Sequence, residues 1–454
     1  MKRADAAAAA VAVLTAVSAF LALRQPAPPG STLAGLDQPA APILSVRRAP
    51  DLLTRTIAEA KLVRGLDGAL RAAPASTCLV VRNAGRTLYS RNPEQPLIPA
   101  SNVKILTAFA LLAKLGPTET LATAVRAAKP ISRDGTVDGD LFVVGGGDPL
   151  LETADYAATL KYAPTIRTPF ERLADDLVAK GLKRVTGSVV GDESRFDARR
   201  YIPTWRPNYA ADGHVGPQSA LIVNDGFAQF RPRRVAASAP AVHAAGMLTE
   251  LLRSRGVFIS GSPGQSQSPA GAATISELRS PPVRDLVAEM LQESDNTTAE
   301  VLLKELGRRV GGQGTTAAGL DAVRAALTEA RVPAAAVTLT DGSGLDRGNR
   351  ASCVALVSAL GPEPLIDGLP IAGEEGTLTD RFRNHPAAGR LRAKTGSLEG
   401  VAALTGLVDP LAFSFVVNDV GGEAAGRALQ DGVGAVLARY PEAPPPDEMA
   451  PRRP

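Results

Sequence analysis

The chain has 454 residues, too many for one ordinary hydrophobic core, so two or more domains are the default. Hydrophobic residues make up 45% and charged residues 21%, the balance of a folded globular protein and not of a disordered one. A net charge of +4, spread over 50 basic and 46 acidic residues with 4% aromatics, offers neither the basic run nor the stacking surface of a nucleic-acid binder.

The first 30 residues, MKRADAAAAAVAVLTAVSAFLALRQPAPPG, put Lys2 and Arg3 ahead of an apolar run from Ala6 to Leu23. That order predicts a secretory signal over 1–24, and its length also suits an uncleaved membrane anchor. Either way, the rest of the chain is expected outside the cytoplasm. Residues 25–49 are Pro-rich and read as a linker. A helix is predicted to open at Asp51, followed by a hairpin in STCLVVRNAGRTLYSRNP that turns at Asn83-Ala84-Gly85. The apolar segment after Pro99 reads as a buried helix stopped by Gly116-Pro117.

Residues 118–281 change character, with short strands and glycine turns, and are expected to form an inserted, largely β accessory region. Gly145-Gly146-Gly147 lacks the Lys-Ser/Thr of a phosphate loop and reads as a turn. Near the other end, GRLRAKTGSLEGVAALTGLVDPLAFSFVVND reads as three strands joined by turns, and EAAGRALQDGVGAVLARY closes as a helix. Strands at both ends with helices between them predict an α+β fold, an antiparallel sheet completed by both termini over 50–117 and 282–440. Residues 441–454 read as a disordered tail.

Two cysteines, Cys78 and Cys353, make no metal pattern; pairing is open, and small buried hydrophobes are the expectation. His214, His243 and His385 are scattered with no zinc spacing, and no metal or cofactor is implied.

The chemistry concentrates in three short stretches. Ser101 and Lys104, the only Ser-x-x-Lys in the chain, lie three apart and so share a helix face. The residues around them are apolar; burial lowers a lysine's pKa, and a neutral amine beside a hydroxyl is a base beside a nucleophile. At a helix start, the Ser101 amide is also free to donate to an oxyanion. Ser294-Asp295-Asn296 interrupts two helical patterns; alone it is ordinary turn chemistry, yet such a loop can present a hydroxyl and an amide to a cleft. Lys394-Thr395-Gly396-Ser397 lies on a strand, where a lysine is usually edge decoration. Here the glycine is expected to leave room for a peptide lying along that strand, with a cation and hydroxyls to take its carboxylate.

SxxK, SDN and KTG in that order form the motif set of penicillin-binding proteins and serine β-lactamases. Together with GDLFVVGGGDPLL, SALIVND, LTDGSGLDRGNRAS and GTLTDRF, they make the chain resemble the class C low-molecular-mass penicillin-binding proteins, the D-alanyl-D-alanine carboxypeptidase/endopeptidase family. The resemblance covers most of residues 75 to 420, including the long insertion between the first two motifs. It implies a five-stranded antiparallel sheet flanked by helices, and hydrolysis of peptidoglycan stem peptides ending in D-Ala-D-Ala. It further implies an acyl-serine intermediate that β-lactams trap. By the same resemblance Ser101, Lys104 and Ser294 are catalytic, and Asn296, Lys394, Thr395, Gly396 and Ser397 bind substrate. Ser343, in a glycine turn, would border the site. A β-lactamase and a catalytically silent wall-binding protein are the alternatives; the first lacks an evident deacylating carboxylate between the first two motifs.

Overall fold

Pro50 suits the first turn of a helix, whose amides need no intrahelical partner, and in the computed structural model helix α1 runs Pro50–Ala69. The structure describes residues 50–160 and 166–442; the leading apolar segment, the Pro-rich linker and the tail beyond Glu442 lie outside them. Strands β1 (Thr77–Asn83) and β2 (Arg86–Arg91) form the expected hairpin, with Ala84 and Gly85 both at positive φ in the turn. Helix α2 (Val103–Leu115) is buried from Val103 to Leu112 and stops at Gly116, whose φ is +88°.

The insertion follows. Its main sheet contains β3 (Ala122–Ala127), β4 (Leu141–Val144), β5 (Val189–Asp192), β6 (Gly264–Gln265) and β7 (Ala273–Arg279), in the order β6-β5-β4-β3-β7. Helices α3 (Glu171–Ala179) and α4 (Pro240–Arg253) accompany it, and the β4–β5 and β5–β6 pairs are parallel. Parallel pairing needs long crossovers, which explains helices within a stretch whose local pattern showed mainly short strands. The first and last strands, β3 and β7, pair antiparallel from Ala122↔Arg279 to Ala127↔Ala273, so the chain leaves and re-enters the host region at adjacent points.

The chain then forms α5 (Val283–Gln292), α6 (Asn296–Gly311), α7 (Thr316–Glu329) and α8 (Cys353–Ser358), followed by strands β8 (Leu391–Leu398), β9 (Val401–Val408) and β10 (Leu411–Asn418) and helix α9 (Glu423–Ala438). The host sheet has the order β8-β9-β10-β1-β2 and is antiparallel throughout, so the first and last parts of the fold meet at β1 and β10. Its two faces follow strand alternation. Leu79, Val81, Phe413, Phe415 and Val417 pack with α1 and α9, while Cys78, Val80, Ala403 and Val416 pack with the helical cluster of α2, α5, α6 and α7.

The cysteines depart from expectation. Cys78 on β1 and Cys353 at the start of α8 form a disulfide that bridges 275 residues of sequence. Each is fully buried, as a small hydrophobe would be, but burial brought them face to face across the sheet–helix boundary, a juxtaposition that sequence spacing does not encode.

Candidate active site

Ser101 sits in a 3-10 turn, Ala100–Asn102, that leads directly into α2. Two contacts hold this turn against the end of the sheet. Asn418, the last residue of β10, accepts from Ile98 N at 2.9 Å and donates to Ile98 O at 3.0 Å. Asn102 Nδ2 donates to Lys394 O on β8 at 3.3 Å. Ala100, immediately before the serine, has φ +48°, a conformation costly for a residue with a side chain and tolerated where surroundings impose it. Ser101 is half-buried, whereas Lys104, the second residue of α2, is fully buried.

The Lys104 amine has three oxygen neighbours. Nζ lies 2.6 Å from Asn296 Oδ1, 2.8 Å from the Ser343 carbonyl and 3.3 Å from Ser101 Oγ. Burial pushes its pKa down to about 8, against the pull of Asp295, Asp341, Glu300 and Glu289. A neutral amine has two N–H bonds and one lone pair. With the N–H groups on Asn296 and Ser343, the lone pair is left for the Ser101 hydroxyl.

The second motif is positioned by a cap. Asp295 Oδ1 accepts from Thr298 N at 2.9 Å and opens α6, which places Asn296 at the helix start. Ser294 precedes it with φ +58°. The structure brings Asn296 onto Lys104, but among the described residues no hydrogen bond joins the Ser294 hydroxyl to Ser101, Lys104 or Lys394. Asn296 Nδ2 donates to His214 O at 2.8 Å, so a loop of the insertion also holds this motif.

Lys394 is fully buried on β8 and its Nζ donates to Thr395 O at 2.9 Å. Burial, and then the nearby charge of Lys104, hold its pKa well below the usual lysine value. Thr395 Oγ1 meets Thr377 Oγ1 at 3.1 Å, and Ser397 is exposed. Gly396 has a packing role that the sequence did not show. A Cβ there would lie 2.8 Å from Pro99 O and 2.9 Å from Asn102 Nδ2, so the missing side chain makes room for the turn that carries Ser101. Strand β8 and that turn touch because this residue has no side chain.

Sequence reasoning gave Ser343 only a bordering position. Its backbone carbonyl is a direct partner of Lys104, a role that no side-chain motif can signal. The loop that presents it is tightly fixed. Asp341, fully buried, accepts from Trp205 Nε1, Asn349 Nδ2, Gly344 N and Asp346 N at 2.7–2.8 Å. Gly344, at φ +88°, lies so close to the Ser101 turn that a Cβ would stand 2.0 Å from Ala100 O. Among the described residues no cluster of His, Cys, Asp or Glu is arranged to hold a metal ion.

Comparison with known proteins follows the same lines as the geometry. The chain is 30% identical over 461 residues to the D-alanyl-D-alanine carboxypeptidase of an Actinomadura species, spanning 82% of this chain and 83% of that protein. It is 31% identical over 402 residues to Carboxypeptidase DacB of Mycolicibacterium smegmatis, spanning 82% and 84% respectively. Its fold matches the crystal structure of penicillin binding protein 4 (dacB) from Haemophilus influenzae with a TM-score of 0.69 at 22% identity, covering 82% of this chain and 98% of that one. The sequence profile of the D-Ala-D-Ala carboxypeptidase 3 (S13) family matches residues 64–234 and 227–440, and the chain belongs to that family.

Proposed function

We propose that this carboxypeptidase divides the work of peptidoglycan hydrolysis among the three motifs as follows. Lys104, neutral, takes the proton of Ser101 as Oγ attacks the carbonyl of the penultimate D-Ala, and the amides of Ser101 and Ser397 hold the oxyanion. Ser294 passes a proton to the departing D-Ala amine, and Asn296, already bonded to Lys104, contacts the acyl side. The terminal carboxylate lies at Lys394 and Thr395. Burial, and Lys104 whenever it is protonated, disfavour Lys394 as an ammonium, against the pull of Glu293. A substrate carboxylate would add a further negative charge, so its arrival and the protonation of Lys394 are linked. Water then releases the acyl group and regenerates Ser101. A β-lactam opened by the same attack would leave a stable acyl-serine.

The observation that carries this reading is the set of oxygens around Lys104 Nζ, two acceptors and one nucleophile hydroxyl. Ser101→Ala should abolish covalent labelling by a fluorescent penicillin and the release of D-Ala from a D-Ala-D-Ala peptide, with the fold intact by circular dichroism. Retained labelling would refute the nucleophile. The Cys78–Cys353 disulfide supports an extracytoplasmic location, as does the leader or anchor read over 1–24.

A further inference from the structure

Helix α6 reaches Lys104 twice. Asn296, at its first position, accepts one N–H directly at 2.6 Å. One turn later Glu300, fully buried, turns its Oε1 to the backbone amides of Gly342 at 3.0 Å and Ser343 at 2.8 Å. Ser343 is the residue whose carbonyl accepts from Lys104 at 2.8 Å. The i, i+4 spacing of Asn296 and Glu300 puts both on one face of the helix, so a single rigid element sets both acceptors of the amine.

From this we infer that Glu300 is a positioning residue for the base, and that its task is to hold the Ser343 carbonyl on Lys104. The inference rests on the assignment of Lys104 and Ser101 made above. Lys104 can serve Ser101 only if neither of its N–H groups is left to turn toward the serine oxygen. Two acceptors achieve that and one does not. Asn296 is a side chain anchored at the start of α6, whereas the Ser343 carbonyl belongs to a loop and needs its own tether. Asp341 fixes the loop after Ser343 through Gly344 N and Asp346 N, and the two amide bonds to Glu300 hold Gly342 and Ser343 themselves on one side. Thr107 Oγ1, which donates to Gly342 O at 2.9 Å, holds Gly342 on the other. Glu300 Oε2 is buried with no hydrogen-bond partner, so the holding of the loop falls to Oε1 and its two amides. The tether itself requires no charge: an amide oxygen in the same place would accept the same two N–H groups, and losing the carboxylate only removes one of the charges that oppose a neutral Lys104.

The test compares acylation of the full chain by a fluorescent penicillin in three proteins, separating the dissociation constant of the initial complex from the acylation rate constant. Glu300→Gln keeps the acceptor oxygen and is expected to acylate within about threefold of the wild type. Glu300→Met keeps the volume and removes the acceptor; its acylation rate constant should fall at least about tenfold with the dissociation constant unchanged. Glu300→Asp, one methylene short of the two amides, carries the same expectation and replaces the methionine variant should that one fail to fold. A role confined to stability would lower Tm without this split and without rescue by glutamine. A folded methionine or aspartate variant that acylates like the wild type overturns the inference, and so does a glutamine variant that falls as far as they do. A wild-type protein that takes no label at Ser101 overturns the functional reading together with the inference, whereas a labelled wild type matched by the methionine variant sinks the inference alone.

Discussion

In the proposed mechanism the lysine amine at position 104 is the base, and its environment makes a statement about pH. Burial pushes its pKa down to about 8, and only the unprotonated form can accept from Ser101. Below that value the neutral fraction changes about tenfold per pH unit. Acylation by penicillin at limiting concentration is therefore expected to climb about tenfold from pH 6 to pH 7 and to level off above about 8. Stopped-flow labelling across that range measures it, and a flat profile would mean that another group takes the proton. Ser101 and Lys104 were legible in the sequence because their relation is local, a helix spacing of three in an apolar segment. The packing of Gly396 was not legible because its close neighbours, Pro99 and Asn102, lie nearly 300 positions away, in the segment from which Asn102 bonds to Lys394 across a separation of 292. Ser343 acts through a backbone carbonyl, and any residue type has one.

At the scale of elements, α6 is the axis that joins the inserted region to the rest. Glu305 on this helix is fully buried and takes a two-point contact at 2.6 Å from Arg195 in the insertion, with Arg309 on its other side. Lys304, also buried, reaches Asp197 at 2.6 Å and Arg199 O at 2.6 Å. The run ESDNTTAEVLLKELG thus supplies the motif, the clamp and the docking charges in successive turns. Sequence pattern identified the first of these, but not the last, because charged residues in a helix ordinarily face solvent. The difference should be measurable. Glu305→Ala removes a fully buried partner of Arg195, leaves Arg309 with Glu119 alone, and is expected to cost about 2 kcal/mol in urea unfolding. Glu329→Ala removes a partner of Lys114 that is 66% exposed and should cost less than about 1 kcal/mol. Equal costs would mean that the insertion is docked by its apolar contacts and not by these pairs. The three closing strands, by contrast, were readable from short apolar runs bounded by turns, and in the structure a slip of one residue would turn Phe413 and Phe415 to the wrong face.

Over the whole molecule, function and stability pull toward opposite ends of the pH range. Several carboxyl groups are buried together where the insertion approaches α5 and α6. Burial pushes Asp148 up to about 6, and burial with the neighbouring carboxylates pushes Asp225 up to about 7 and Glu152 up to about 9; Glu289 is raised for the same reasons. A carboxyl whose folded pKa exceeds its unfolded one contributes stability that is complete below the unfolded value and is lost as pH rises through the folded one. These groups therefore favour the native state near pH 4 to 5 and progressively less toward pH 9. Lys104, Lys304 and Lys394, lowered by burial, act with the opposite sign; for Lys104 that gain begins only near pH 8. Between pH 5 and 8 the carboxyls should govern, so Tm is expected to fall over the interval in which acylation rises. Glu152→Gln removes one of these titrations while keeping the shape of the side chain, and should raise Tm at pH 8 by a few degrees while leaving it nearly unchanged at pH 5. A Tm that holds level or increases from pH 5 to 8, or a glutamine variant with the wild-type slope, would mean that these groups ionise without cost. The expected outcome ties the two scales together: the burial that makes a lysine into a base also encloses acids that must stay protonated, and the pH that frees the amine is the pH at which the enclosing structure holds least firmly.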